Sequence, residues 1–193
     1  SELDGMFSLA IYDSDSKKIY IARDRTGEKP CFYSLLGGQF YVASEYKTYM
    51  SEVTNLSIDK TFLTSFLHYG FPLTERSIFN EIKQLDLASY GVFDIESLRF
   101  ETQSYWSFPE VQVPSSYKST IDKVDQLLLD SVKKRLISDV PVALLLSGGI
   151  DSTILAGSTK SDHSIKFYSV VPPDSADESN LIDETVSKWS LNH

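Results

Sequence analysis

The sequence predicts an α/β (α+β) chain in two parts, a β-rich half followed by the opening of a doubly wound parallel α/β half. Three observations carry that reading. Up to about Trp106 apolar residues alternate with period 2 and are interrupted by tight-turn residues, the signature of hairpins. Beyond Ser119 amphipathic helical patterns alternate with short apolar strands, which implies parallel pairing through crossover helices. Between the two, Ser107 to Ser119 carries two prolines and four serines with little periodicity. The expected organisation is therefore residues 1–106, a linker over 107–118, and residues 119–193.

The elements follow in order. Phe7, Leu9 and Ile11 share one face of a strand from Met6 to Tyr12, and Ile19 to Ala22 returns after a polar stretch, forming a first hairpin. Phe32 to Leu36 and Gln39 to Ala43 flank Gly37-Gly38, a pair suited to the positive φ angles of a two-residue turn. Ser57 or Asp59 can cap a helix carrying Phe62, Leu63, Phe66 and Leu67, which stops at Gly70 and Pro72. Short strands are expected around Tyr90 to Ile95 and Arg99 to Gln103. After the linker, Ser119 or Thr120 would cap a helix with Ile121, Val124, Leu128, Val132 and Leu136 along one stripe. Val142 to Leu146 reads as a buried strand, Ile165 to Val171 as another, and Ile182, Val186 and Trp189 mark a last helix. Two strands are fewer than the roughly five of a typical sheet.

Bulk properties narrow the function classes. With 27 acidic against 18 basic residues the net charge is -9, so nothing in the overall field recruits nucleic acid or an anionic membrane. The longest apolar run, Val140 to Leu146, is far short of the roughly 20 residues of a spanning helix, and the expectation is a soluble cytoplasmic protein. The single cysteine, Cys31, excludes an internal disulfide and reads as a small buried hydrophobe.

The most informative segment runs from Leu144 through Leu146-Ser147-Gly148-Gly149-Ile150-Asp151-Ser152. A strand delivers the chain to two glycines that let the backbone approach a ligand, and a helix begins with its free N–H groups directed at the same place. Ser147 and Ser152 add hydroxyl donors, and the helix dipole favours an anion such as pyrophosphate. Asp151 is out of place beside phosphates unless it meets them through Mg²⁺. The plainer alternative makes Gly-Gly a simple turn, with Asp151 or Ser152 as a helix cap.

No Gly-Lys-Ser/Thr is present, so this is not a Walker loop. Ser147-Gly148-Gly149-Ile150-Asp151-Ser152 instead resembles the pyrophosphate loop of the ATP pyrophosphatases. Together with Ser138-Asp139-Val140-Pro141, it is similar to the synthetase domain of glutamine-hydrolysing asparagine synthetases. Ser169-Val170 and Asp177-Glu178-Ser179 fall where that family has a second nucleotide-contacting strand and an acidic loop. Upstream, Leu3-Asp4-Gly5-Met6-Phe7, Ala22 to Pro30, Val42-Ala43-Ser44-Glu45, Ser77-Ile78-Phe79 and Tyr105-Trp106 resemble consecutive blocks of the family's glutaminase domain. Residues 1–106 would then be the C-terminal part of an N-terminal-nucleophile glutamine amidotransferase domain. Residues 119–193 would be the start of the ATP-pyrophosphatase synthetase domain.

The resemblance implies a whole protein in which glutamine hydrolysis yields ammonia, ATP adenylylates the β-carboxylate of aspartate, and ammonia displaces AMP to give asparagine. It implies ATP and Mg²⁺ as cofactors, with Leu146, Ser147, Gly148, Gly149, Asp151, Ser152 and Val170 at the nucleotide and Asp151 at the metal. Partners would be small molecules (ATP, aspartate, glutamine or ammonia), with neither nucleic acid nor membrane, and a homodimer is compatible.

No catalytic residue is assigned to this stretch. The family's glutaminase nucleophile is an N-terminal cysteine, whereas residue 1 here is serine, so the nucleophile is expected upstream of Ser1 and the remaining synthetase chemistry beyond His193. Arg23-Asp24-Arg25 reads as a charged turn with an internal ion pair and no catalytic role. Leu85-Asp86-Leu87-Ala88 departs from the proline-glycine loop usual in the family. The alternatives are a relative that activates another carboxylate, of β-lactam synthetase, lasso-peptide cyclase or sugar amidotransferase type, and a non-catalytic fragment.

Overall fold

A computed structural model describes residues 3–53, 55–72, 77–110, 116–171 and 176–193, leaving aside the side chains of 176 and 177. Two compact units divide the chain, Ser1–Glu110 and Val111–His193.

In the first unit β1 (Ser8–Asp13), β2 (Lys18–Arg23), β3 (Phe32–Leu36) and β4 (Gln39–Ala43) precede two helices, α1 (Tyr46–Glu52) and α2 (Lys60–Tyr69). Then come β5 (Lys83–Gln84), β6 (Ser89–Asp94) and β7 (Arg99–Ser104). One sheet has the order β1-β2-β6-β7 and the other β4-β3-β5, with all named pairs antiparallel. The sheets meet through Ile19 and Ile21 of β2 against Tyr33, Phe40 and Val42, with Cys31, Leu85 and Phe100 in the same cluster. A second cluster, Phe32, Tyr49 and Ile82, packs the other face of β3 and β4 against α1, where the Tyr49 hydroxyl donates to the Phe32 carbonyl at 2.6 Å.

Both expected hairpins are present. Gly37 and Gly38 hold φ of 57° and 78°, as the two-residue turn requires. The alternation in β1 is real but faces the other way. Leu9 pairs with Ala22 and Ile11 with Tyr20, so they lie on the side of the sheet opposite Ile19 and Ile21, and Ile11 is 56% exposed. A period of 2 identifies a shared face; which face meets the second sheet is decided by β2. Asp59, not Ser57, caps α2, accepting from the Thr61 and Phe62 amides, and Gly70 ends it in the left-handed region. The pattern did not announce α1 and β5, both short.

The second unit contains α3 (Tyr117–Arg135), β8 (Ala143–Leu145), α4 (Ile150–Thr159), β9 (Lys166–Tyr168) and α5 (Ala176–Trp189). The α3 cap is Ser116, whose hydroxyl accepts from the Ser119 amide at 3.2 Å, so the helix starts earlier than the expected cap at Ser119 or Thr120. Parallel strands β8 and β9 pair Leu144 with Phe167. Their inner face, with Leu146, Ile165 and Phe167, packs on Ala156 of α4 and Ile182 of α5. The outer face is open: Leu145 is 73% and Tyr168 52% exposed, so these apolar runs are not buried on both sides as expected. No helix among the described residues is long and apolar enough to cross a membrane. Of the linker expected over 107–118, residues 111–115 lie outside the described residues, as does Ser1.

Candidate functional site

The turn after β2 is organised by two charged side chains that point inward. Arg23, 6% exposed, donates from Nε to the Lys29 carbonyl at 3.0 Å, from Nη1 to Leu85 at 2.8 Å and from Nη2 to Gly27 at 2.8 Å. Asp24, 1% exposed, accepts from the amides of Phe7, Thr26, Glu28 and Lys29 at 2.9–3.3 Å. Burial opposes the Asp24 charge, but these four N–H donors outweigh it and hold the carboxyl below its ordinary range. Arg25 reaches Asp4 at 3.7 Å. The expected charged turn is present, but the ion pair of Arg25 runs to Asp4 outside it, and the turn's order comes from side chains that saturate the backbone, the usual condition for burying charge.

The same hub reaches the Leu85 to Ala88 segment. The Ala88 amide donates to the Asp24 carbonyl, the Tyr105 amide donates to the Ala88 carbonyl, and the Tyr105 hydroxyl donates to the Arg23 carbonyl. Ala88 sits at φ 52°. Cys31 is fully buried, which pushes its thiol upward, away from nucleophile chemistry.

In the second unit the predicted loop joins β8 to α4. The Leu146 amide donates to the Tyr168 carbonyl at 2.8 Å, extending the β8–β9 register by one bond and placing Ser147 at the carboxyl end of the strands. Ligands of open α/β sheets bind in this position. Gly148 takes φ 74°, which favours glycine, and a Cβ there would lie 3.2 Å from the Glu178 carbonyl oxygen and 3.3 Å from Leu181 Cβ, so the first turns of α5 would have to give by a few tenths of an ångström to admit one. Gly149 is the N-cap of α4, with no side-chain cap bond. This overturns the plainer reading of Asp151 or Ser152 as the cap: both lie inside the first turn, whose N–H groups are left for an external acceptor.

The hydroxyls close the loop on itself. Ser152 Oγ accepts the Ser147 amide at 3.2 Å and donates to the Gly149 carbonyl at 3.1 Å, and Ser147 Oγ lies 3.1 Å from Ser152 Oγ. Asp151 is exposed in the first turn of α4, and among the described residues its side chain has no hydrogen bond or ion pair. Val170 lies just beyond β9 at the same end of the sheet and is 86% exposed. Its neighbour Ser169 bonds His193 Nε2 at 2.8 Å, a contact across 24 residues that local pattern could not announce. Glu178 and Ser179 open α5 instead of forming an acidic loop, and the Asp177 side chain lies outside the described residues. No cluster of three or more His, Cys, Asp or Glu suited to a metal occurs among the described residues. Mg²⁺ takes one or two carboxylates and completes its shell with phosphate and water, a demand that a lone carboxylate can meet only in part.

Comparison with known proteins finds a family match in each half of the sequence. The sequence model of the glutamine amidotransferase domain matches residues 1–106, and that of asparagine synthase matches residues 123–193. A putative glutamine-hydrolysing asparagine synthetase 2 of Methanocaldococcus jannaschii is 32% identical over 81% of this chain and 31% of its own length. Asparagine synthetase 1 of Bacillus subtilis is 32% identical over 88% of this chain and 27% of its own. Asparagine synthetase B of Escherichia coli is 32% identical over 82% and 24%. The chain thus spans about a quarter to a third of the length of these curated relatives. With more than half of its residues matched by one of the family's two domain models and most of it aligned to such enzymes, the chain belongs to the glutamine-hydrolysing asparagine synthetase family.

Proposed function

We propose that this chain is the part of a glutamine-dependent asparagine synthetase that joins the two half-reactions. Residues 1–106 form the C-terminal part of the glutamine amidotransferase domain, residues 107–118 the linker, and residues 119–193 the beginning of the ATP-binding synthetase domain. The two compact units and the two matched regions support this division. In the whole enzyme, glutamine supplies ammonia, ATP activates the β-carboxylate of aspartate by adenylylation, and ammonia displaces AMP. Partners are small molecules in the cytoplasm, a homodimer is compatible, and a net charge of -9 argues against a polyanion.

The observation that carries the ATP reading is the uncapped N-terminus of α4 at the carboxyl end of a parallel strand pair. Leu146, Ser147, Gly148, Gly149, Ser152 and Val170 form the nucleotide site in this reading, within an ATP-pyrophosphatase type of sheet. Backbone N–H groups of the loop and first turn hold the phosphates, and the Ser147 hydroxyl adds a donor. Asp151 would hold Mg²⁺, which when bound neutralises charge on the phosphates. The glutaminase half contributes scaffold here, with the Arg23–Asp24 hub fixing the turn.

The test is Asp151→Asn in the full-length enzyme, with pyrophosphate release measured at saturating ammonia. Release should fall at least about ten-fold with either nitrogen source, because activation precedes nitrogen transfer, and glutamine hydrolysis alone should survive. Near-normal release would leave the metal to other residues and only the loop backbone at the phosphates.

A further inference from the structure

Two hydroxyls in the phosphate loop have two protons to place among several neighbours. Ser152 Oγ lies 3.2 Å from the Ser147 amide nitrogen, 3.1 Å from the Gly149 carbonyl oxygen and 3.1 Å from Ser147 Oγ. The Gly149 amide lies 3.4 Å from Ser147 Oγ. An amide only donates and a carbonyl only accepts, so one allocation makes all four bonds. Ser152 gives its proton to Gly149, Ser147 gives its proton to Ser152, and each hydroxyl oxygen also receives one amide. The reverse allocation between the hydroxyls forfeits the bond to Gly149.

The exposures differ in the same sense, Ser147 being exposed and Ser152 half-buried. We infer that Ser152 is a positioning residue, whose hydroxyl clamps Ser147 to Gly149 and presets the loop, and that Ser147 is the hydroxyl that turns to the anion. This inference rests on the reading of the loop as a pyrophosphate site and divides labour within it. When an anion arrives, Ser147 gives up a single hydroxyl–hydroxyl contact, and the two bonds from Ser152 to the backbone persist. Ser152 therefore acts through Ser147 and the neighbouring amides.

The experiment uses this chain, with inorganic pyrophosphate titrated by calorimetry and amide exchange followed by NMR. Ser147→Ala should weaken pyrophosphate about ten-fold, the worth of a charge-assisted hydrogen bond, and leave the exchange of the residue 147 amide unchanged without ligand. Ser152→Ala should weaken it by a similar factor and speed that exchange. Ser152→Thr should restore both, since a helical threonine can still reach the carbonyl three residues back. The double variant should bind no worse than Ser152→Ala, the non-additivity of residues that work as one unit.

Additive losses, with residue 147 exchange unmoved in Ser152→Ala, would make Ser152 an independent phosphate ligand and overturn the inference. Should the unaltered chain bind no pyrophosphate, the reading of the loop fails. Unliganded exchange then decides the clamp alone: a faster residue 147 amide in Ser152→Ala, restored by threonine, upholds it, and an unchanged one overturns it.

Discussion

Two aspartates of this chain stand beside glycine turns, and their surroundings are opposite. Asp24 is 1% exposed and receives four backbone amides; Asp151 is exposed and, among the described residues, bonds nothing. Next to Asp24 the guanidinium of Arg23 satisfies three carbonyls, so the turn is finished without a ligand. Next to Asp151 the helix N-terminus has no side-chain cap. A turn whose polar groups are already paired is finished by its own side chains, and a helix start without a side-chain cap leaves its donors open to an external acceptor.

The sharpest way to break this comparison is to remove the same charge at both places. Asp24→Asn puts an amide NH₂ against two backbone donors in a buried site and should cost about 3 kcal/mol in urea unfolding, whereas Asp151→Asn should stay within about 0.5 kcal/mol. Equal costs would mean that the Asp151 loop is as finished as the other.

The glycines give the next contrast. Gly27 at φ 68° would place a Cβ 2.8 Å from Arg23 Nη2, and Gly148 at φ 74° would place one 3.2 Å from the Glu178 carbonyl oxygen. Both alanine variants carry left-handed strain of about 1 kcal/mol. Gly27→Ala must also push a guanidinium fixed by three acceptors, so its unfolding midpoint should fall roughly twice as far. A larger fall for Gly148→Ala would show that α5 yields less than the Arg23 fork.

Acid should act through the finished turn. A carboxyl held below its unfolded value of about 3.9 contributes stability at neutral pH that is lost as pH falls through its folded value. Stability should therefore decline below about pH 4, and Asp24→Asn should flatten that decline in part. The flattening is partial because exposed Asp13 and Asp94, held down chiefly by hydrogen bonds from Ser16 and Ser97, titrate in the same window. An unchanged acid limb in Asp24→Asn would mean that the four amides do not hold the charge.

The smallest effect concerns the departure at Leu85 to Ala88. Ala88, buried at φ 52°, pays left-handed strain that glycine would relieve, less the flexibility glycine adds to the unfolded chain. Ala88→Gly should be stabilising by under about 1 kcal/mol in the same assay, and a clear loss would show that its methyl packing outweighs the strain.

Much of the fold was legible where the signal is local. The Gly37-Gly38 hairpin, the Asp59 cap with its Gly70 stop, and the strand–glycine–helix join at Ser147 each follow from the conformational needs of a few consecutive residues. Elements too short to repeat a period, α1 and β5, left no readable trace. The Ser116 cap was missed because several serines stand in the same stretch, and only the backbone shows which one stops being extended.

By itself the sequence determined the family and the local join of strand, glycine pair and helix at Ser147, since both rest on order and chemistry along the chain. Tertiary structure alone decided that Leu9 and Ile11 face away from the second sheet, because a period of 2 is blind to which side its partner takes. It decided that Asp24 is a saturated structural charge while Asp151 is not, because burial and hydrogen-bond supply depend on Phe7 and on residues 26–29 folding back around one carboxylate. It also brought Glu178, thirty residues on, close against Gly148, an approach that exists only once α5 is packed against the loop.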